Sequence, residues 1–101
     1  MFLPTARFIE VNRQQSIIAD ASGIINCSAE GAPTPQIEWK RQDEVQLDKA
    51  RFTKLLNGSL FVNPVRRQDK GTYICIFTQN KGSVTRTTTA EKTIDVSIIS
   101  E

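Results

Sequence analysis

Asp69-Lys70-Gly71-Thr72-Tyr73-Ile74-Cys75 is the stretch of this chain on which the reading of its fold turns. A strand with side chains alternating from Gly71 to Thr78 puts Tyr73, Cys75 and Phe77 on one face and Ile74 and Ile76 on the other. Toward the N-terminus, Pro64 cannot donate to a ladder and stops pairing, Val65 closes that end, and Leu60 and Val62 face inward from a strand that follows the Asn57-Gly58 turn. Arg51 to Leu55 reads as a further short strand, and the polar stretch Arg41 to Lys49 as a surface excursion. Ile37-Glu38-Trp39-Lys40 turns Ile37 and Trp39 inward and Glu38 and Lys40 outward. The run Gly31-Ala32-Pro33-Thr34-Pro35 separates it from Ile24 to Ala29, where Ile25, Cys27 and Ala29 share a face. Gln14 to Ala19 supplies the first strand. Beyond Lys81-Gly82, the run from Ser83 to Ile99 supplies the last, with an interruption expected near Ala90 to Lys92. No window holds a helical stripe, so the expectation is all-β, with seven to eight strands.

Cys27 and Cys75 fall on separate inward-alternating strands, and Trp39 lies twelve positions after the first of them. They are either a bridge across two sheets with the indole packed beside it, or two reduced core thiols. Taken with Leu60-Phe61-Val62 and the opening stretch, this arrangement resembles the immunoglobulin superfamily over nearly the whole chain. Gly31 to Trp39 and Asn57-Gly58-Ser59-Leu60 are most similar to its I-set branch, which is found in adhesion molecules and receptor ectodomains, some receptor tyrosine kinases among them. The resemblance implies an antiparallel immunoglobulin-like β-sandwich closed by Cys27–Cys75, with Trp39, Leu60 and Tyr73 in the core. It implies a tyrosine corner at Tyr73 and an ion pair between Arg51 and Asp69. Two positions depart from the pattern. Phe77 stands where a smaller residue is usual and implies a rearranged core; Gln79 stands where asparagine is common and leaves the following turn less defined.

The 101 residues suffice for one domain, 1–101, read as a fragment of a longer multidomain protein. With 39% hydrophobic and 24% charged residues, composition is that of a folded globular chain. Thirteen basic against eleven acidic residues give +2, which does not suggest a nucleic-acid partner; Arg66, Arg67 and Lys70, the nearest thing to a basic cluster, read as a solvated turn. No apolar stretch is long enough for direct membrane insertion, and the beginning lacks the parts of a signal peptide. The chain has no histidine, no phosphate-binding glycine loop and no spacing of calcium ligands, so neither catalysis nor a cofactor or metal is expected.

The expected work is protein binding. Ile74 and Ile76 would form a small exposed apolar centre, rimmed by Glu38 and Lys40 and flanked by Thr85 and Thr87, for another protein or a second copy of the domain. Ile24 and Phe61 are apolar candidates on the opposite sheet. Asn26-Cys27-Ser28 and Asn57-Gly58-Ser59 both satisfy the N-glycosylation pattern, so Asn26 and Asn57 are candidate modification sites. The resemblance implies an extracellular, cell-surface ectodomain that binds a protein or positions neighbouring domains of its own chain. The alternative is a structural link in an intracellular muscle or cytoskeletal scaffold, where the thiols would be free.

Overall fold

The computed structural model describes residues 5–9, 11–80 and 87–100. The strands are β1 (Arg7–Ile9), β2 (Gln14–Ile18), β3 (Gly23–Ile25), β4 (Ser28–Glu30), β5 (Gln36–Arg41), β6 (Phe52–Lys54), β7 (Leu60–Val62), β8 (Gly71–Asn80) and β9 (Thr87–Ile99), with a 3-10 turn at Arg67–Asp69. One sheet has the order β2-β9-β8-β5. Facing it are β3-β7-β6 and the two-stranded β1-β4. All pairings are antiparallel except β2 with β9, which run parallel from Gln14↔Asp95 to Ile18↔Ile99.

Alternation dictates what lies between the sheets. Ile25, Cys27, Ile37, Leu60, Val62, Val65, Tyr73, Cys75, Phe77, Ile94 and Val96 are buried together, with Trp39, Phe8 and Leu47 packed against them. Cys27 and Cys75 are bridged, their Cα atoms 6.6 Å apart. Closing a loop of sequence separation 48 contributes about 4 kcal/mol in the chain-entropy account. The larger Phe77 is accommodated by packing against Phe8 in a tilted pair, with ring centroids 4.7 Å apart and planes inclined at 54°.

Nine strands are described where seven to eight were expected. One addition is β1, from a segment whose sequence shows too little alternation to announce it. Another comes from the expected Ile24–Ala29 strand, which divides at Asn26 and Cys27 because its halves take different partners: β3 pairs with β7, and β4 with β1. At the break, side chains stand in for the ladder. The Gln15 amide accepts the Asn26 N–H at 2.7 Å and donates to the Asn26 carbonyl at 2.8 Å and to that of Asn12 at 2.9 Å. The Ser59 hydroxyl accepts the Cys27 N–H at 3.2 Å and donates to the Cys27 carbonyl at 3.4 Å. The Cys27 backbone is buried and must be paired somewhere, and here a side chain pairs it.

The expected interruption at Ala90 to Lys92 does not occur. Pairing with β8 runs unbroken from Asn80↔Thr87 to Gly71↔Val96. Lys92, inward in register opposite Cys75, is tolerated because it lays its stem along the core and sets its ammonium over the Phe8 ring, 5.9 Å from the centroid. The Lys81-Gly82 turn, the start of the last strand at Ser83 and the flanking Thr85 lie outside the described residues.

Candidate functional site

Behind the sheet, the core holds the strands in register. Trp39 faces Cys75 across β5 and β8 and is half-buried, because β5 is an edge strand and one side of the indole reaches the boundary of the sandwich. Its Nε1–H donates to the Gly58 carbonyl at 2.7 Å, tying one sheet to the turn before β7 in the other. Gly58 has φ +97°, and a side chain there would run into Ile37, so this turn needs glycine. Leu60 is buried opposite Ile25.

At one end of the sandwich a polar cluster is built around Asp69, which is 2% exposed. Arg51 grips its carboxylate with two nitrogens, at 2.8 and 2.9 Å, and the Arg66 N–H donates to it at 2.7 Å. Burial pushes this carboxyl up, but the Arg51 and Arg66 bonds and the guanidinium charges outweigh that and hold it below the usual carboxylate range. The Tyr73 hydroxyl donates to the Asp69 carbonyl at 2.6 Å, and burial pushes the phenol up. Arg41, read from sequence only as the edge of a surface excursion, is a hub. It donates to the Tyr73 oxygen at 3.0 Å, to the Asp69 and Lys70 carbonyls at 3.1 and 2.9 Å, and to Asp43. Gly71 beside it has φ +153°, and a Cβ there would meet the Arg41 guanidinium. The only sequence signal for this hub was an arginine at the end of an alternating strand.

The outer face of the β2-β9-β8-β5 sheet carries the expected binding residues in rows. Ile76 lies between Glu38 on β5 and Glu91 on β9; Ile74 lies between Lys40 and Thr93. Glu38, Lys40 and Glu91 are exposed. The expected pair of exposed isoleucines is corrected by the burial: Ile74 is only 9% exposed and Ile76 is half-buried. Alternation sets the face correctly, but a position on a central strand is flanked on both sides, and the neighbouring side chains shelter it. Thr87 is exposed at the far end of β9. On the other side, Ile24 is 43% exposed and Phe61 is half-buried.

Beside the free edge of β5 runs an open groove of about 1010 Å³, lined by Trp39, Lys40, Val45, Leu47 and Lys54 among others. Lys54 crosses from the other sheet to donate to the Ile37 carbonyl at 2.6 Å, covering part of that edge. Among the described residues, no His, Cys, Asp and Glu are grouped as a metal site. No helix there is long and apolar enough to cross a membrane. Asn26 and Asn57 are both exposed.

The Immunoglobulin I-set domain model matches residues 6–91. Protein sidekick-2 of Gallus gallus is 36% identical over 74 residues, 69% of this chain and 3% of that protein. Contactin-1 of Homo sapiens is 32% identical over 90 residues, 86% of this chain and 9% of that protein. The chain thus spans under a tenth of either relative. Among solved structures, the sidekick-1 immunoglobulin domains 1–5 superpose with a TM-score of 0.75 at 19% identity, covering 96% of this chain and 20% of that one.

Proposed function

Because the chain belongs to the immunoglobulin I-set family, we infer that it is an extracellular protein-binding or adhesion module, one domain of a longer cell-surface receptor or adhesion molecule. The sandwich is not an enzyme fold, and its use lies in the surfaces it presents. The observation that carries the reading is the Cys27–Cys75 bridge buried in the core, since such bridges persist in oxidising compartments and are rare in the cytosol. The similarity to sidekick-2 and contactin-1 supports the same direction.

The binding face is the outer side of β5, β8 and β9, around the row Glu38–Ile76–Glu91. A half-buried isoleucine between two exposed carboxylates offers a small apolar seat with an acidic rim, suited to a partner that brings an apolar side chain flanked by basic ones. Lys40, one row away, sets the limit of that acidic strip.

The test of the compartment is thiol trapping in protein from its natural source. Cys27 and Cys75 should resist alkylation until reduced, and intact cells should label the chain with a membrane-impermeant reagent. Alkylation without reduction would overturn the extracellular reading and favour the intracellular scaffold. For the face, Ile76→Asp, with folding verified by its thermal transition, should weaken partner binding by at least about tenfold, or 1.4 kcal/mol. Unchanged affinity would remove this face.

A further inference from the structure

We propose that Asn57 carries an N-linked glycan and that folding closes its acceptor site, so that the sugar is attached only before the sandwich forms. The inference rests on the extracellular reading, because the modification belongs to the secretory route. Asn57 is exposed in the turn between β6 and β7. Its Oδ1 accepts the Ser59 N–H at 2.9 Å, and among the described residues its amide nitrogen has no partner. In the transfer, that nitrogen forms a bond to the anomeric carbon of a lipid-pyrophosphate-linked oligosaccharide. The bond from that carbon to the pyrophosphate oxygen breaks, the lipid pyrophosphate leaves, and the amide proton passes to base.

The other two residues of the acceptor are locked. Ser59, whose hydroxyl the transferring enzyme must read, is 2% exposed, and that hydroxyl is engaged by the Cys27 backbone. Gly58 is buried, has φ +97°, and its carbonyl holds the Trp39 indole. A tight turn with its second and third residues inside the core cannot enter an enzyme cleft as an extended peptide. Opening it would release the Trp39 indole and the Cys27 backbone, so the acceptor opens only together with part of the core. The Asn26 sequon is withdrawn before the sheets form, because its middle residue is Cys27, which oxidation to Cys75 ties whether or not the strands around it have paired.

A glycan on Asn57 has a neighbour to cover. Leu56 beside it is fully exposed, on the wall of a groove of about 360 Å³ that also includes Ile9, Pro35 and Leu55. That groove shares Ile37 and Lys54 with the one along β5, so the sugar stands at one end of the free β5 edge.

The chain should be secreted from mammalian cells behind a leader peptide. One increment removable by peptide:N-glycosidase is expected, retained in Asn26→Gln and lost in Asn57→Gln and Asn57→Asp. The aspartate keeps the acceptor for the Ser59 N–H and so controls for folding. In a second arm, bacterially made protein is given purified transferase and donor; the oxidised, folded form should be modified at least about tenfold more slowly than the reduced, unfolded form. A secreted, folded wild type without the increment, a sugar on Asn26 instead, or equal rates for the two forms would overturn the proposal. Since the leader supplies the route, these outcomes are separate from the thiol and surface-labelling test of the native address.

Discussion

Asp69 shows how much one residue can organise. Its carboxylate is buried with Arg51, whose side chain is 14% exposed, and its carbonyl receives both Tyr73 and Arg41. The carboxyl sits below its ordinary range when folded, so its contribution is fully present above the unfolded value of about 3.9 and is lost as pH falls through the lower folded value. Thermal unfolding between roughly pH 6 and 2 should therefore show an acid limb that Asp69→Asn flattens, with a loss of about 3 kcal/mol near neutrality from a stripped buried pair. Asp43, paired with Arg41 but 51% exposed, should leave the limb nearly intact when changed to asparagine. A limb unchanged in Asp69→Asn would assign acid sensitivity elsewhere. The Arg51–Asp69 pairing and the Tyr73 corner were legible because the resemblance covers both positions. The hub at Arg41 was not, since its bonds to Asp69, Lys70 and Tyr73 span 28, 29 and 32 residues that only folding brings together.

Among the elements, the long β8 and the β5 segment around Trp39 could be read residue by residue, because strict alternation and the cysteine spacing constrain the same face. The division of β3 from β4 could not. It depends on partner exchange between sheets, and the sequence of Ile24 to Ala29 alternates straight through it. The burial of Ile74 escaped for a related reason: alternation gives the face, whereas exposure depends on what flanks the position. Gln15 is the device that makes the division affordable. Gln15→Ala should cost about 1 to 2 kcal/mol, the net worth of its lost bonds. Gln15→Glu should cost more at neutral pH, since it keeps the acceptor for the Asn26 N–H but sets an anion against the Asn12 and Asn26 carbonyls. Chemical denaturation of the two variants checks the order. Glutamate proving milder than alanine would mean that the donor bonds contribute nothing.

For the molecule as a whole, the parallel pairing of β2 with β9 bears on how the domain behaves when its two ends are drawn apart. The chain enters β2 at Gln14 and leaves β9 at Ile99. Tension applied beyond those points drags two parallel neighbours in opposite directions along their common axis. Five cross-strand positions, Gln14 to Ile18 against Asp95 to Ile99, are then loaded in shear together, instead of peeling apart one after another. Single-molecule extension from the two ends should accordingly meet a higher rupture force than extension from Asn57 and the C-terminal end, a geometry that does not load this pairing across its own ends. Ala19→Pro, which removes the N–H that donates to the Ile99 carbonyl at 2.9 Å at the end of this seam, should lower the first force more than the second. The same short seam that closes the sandwich at rest would thus act as its mechanical latch.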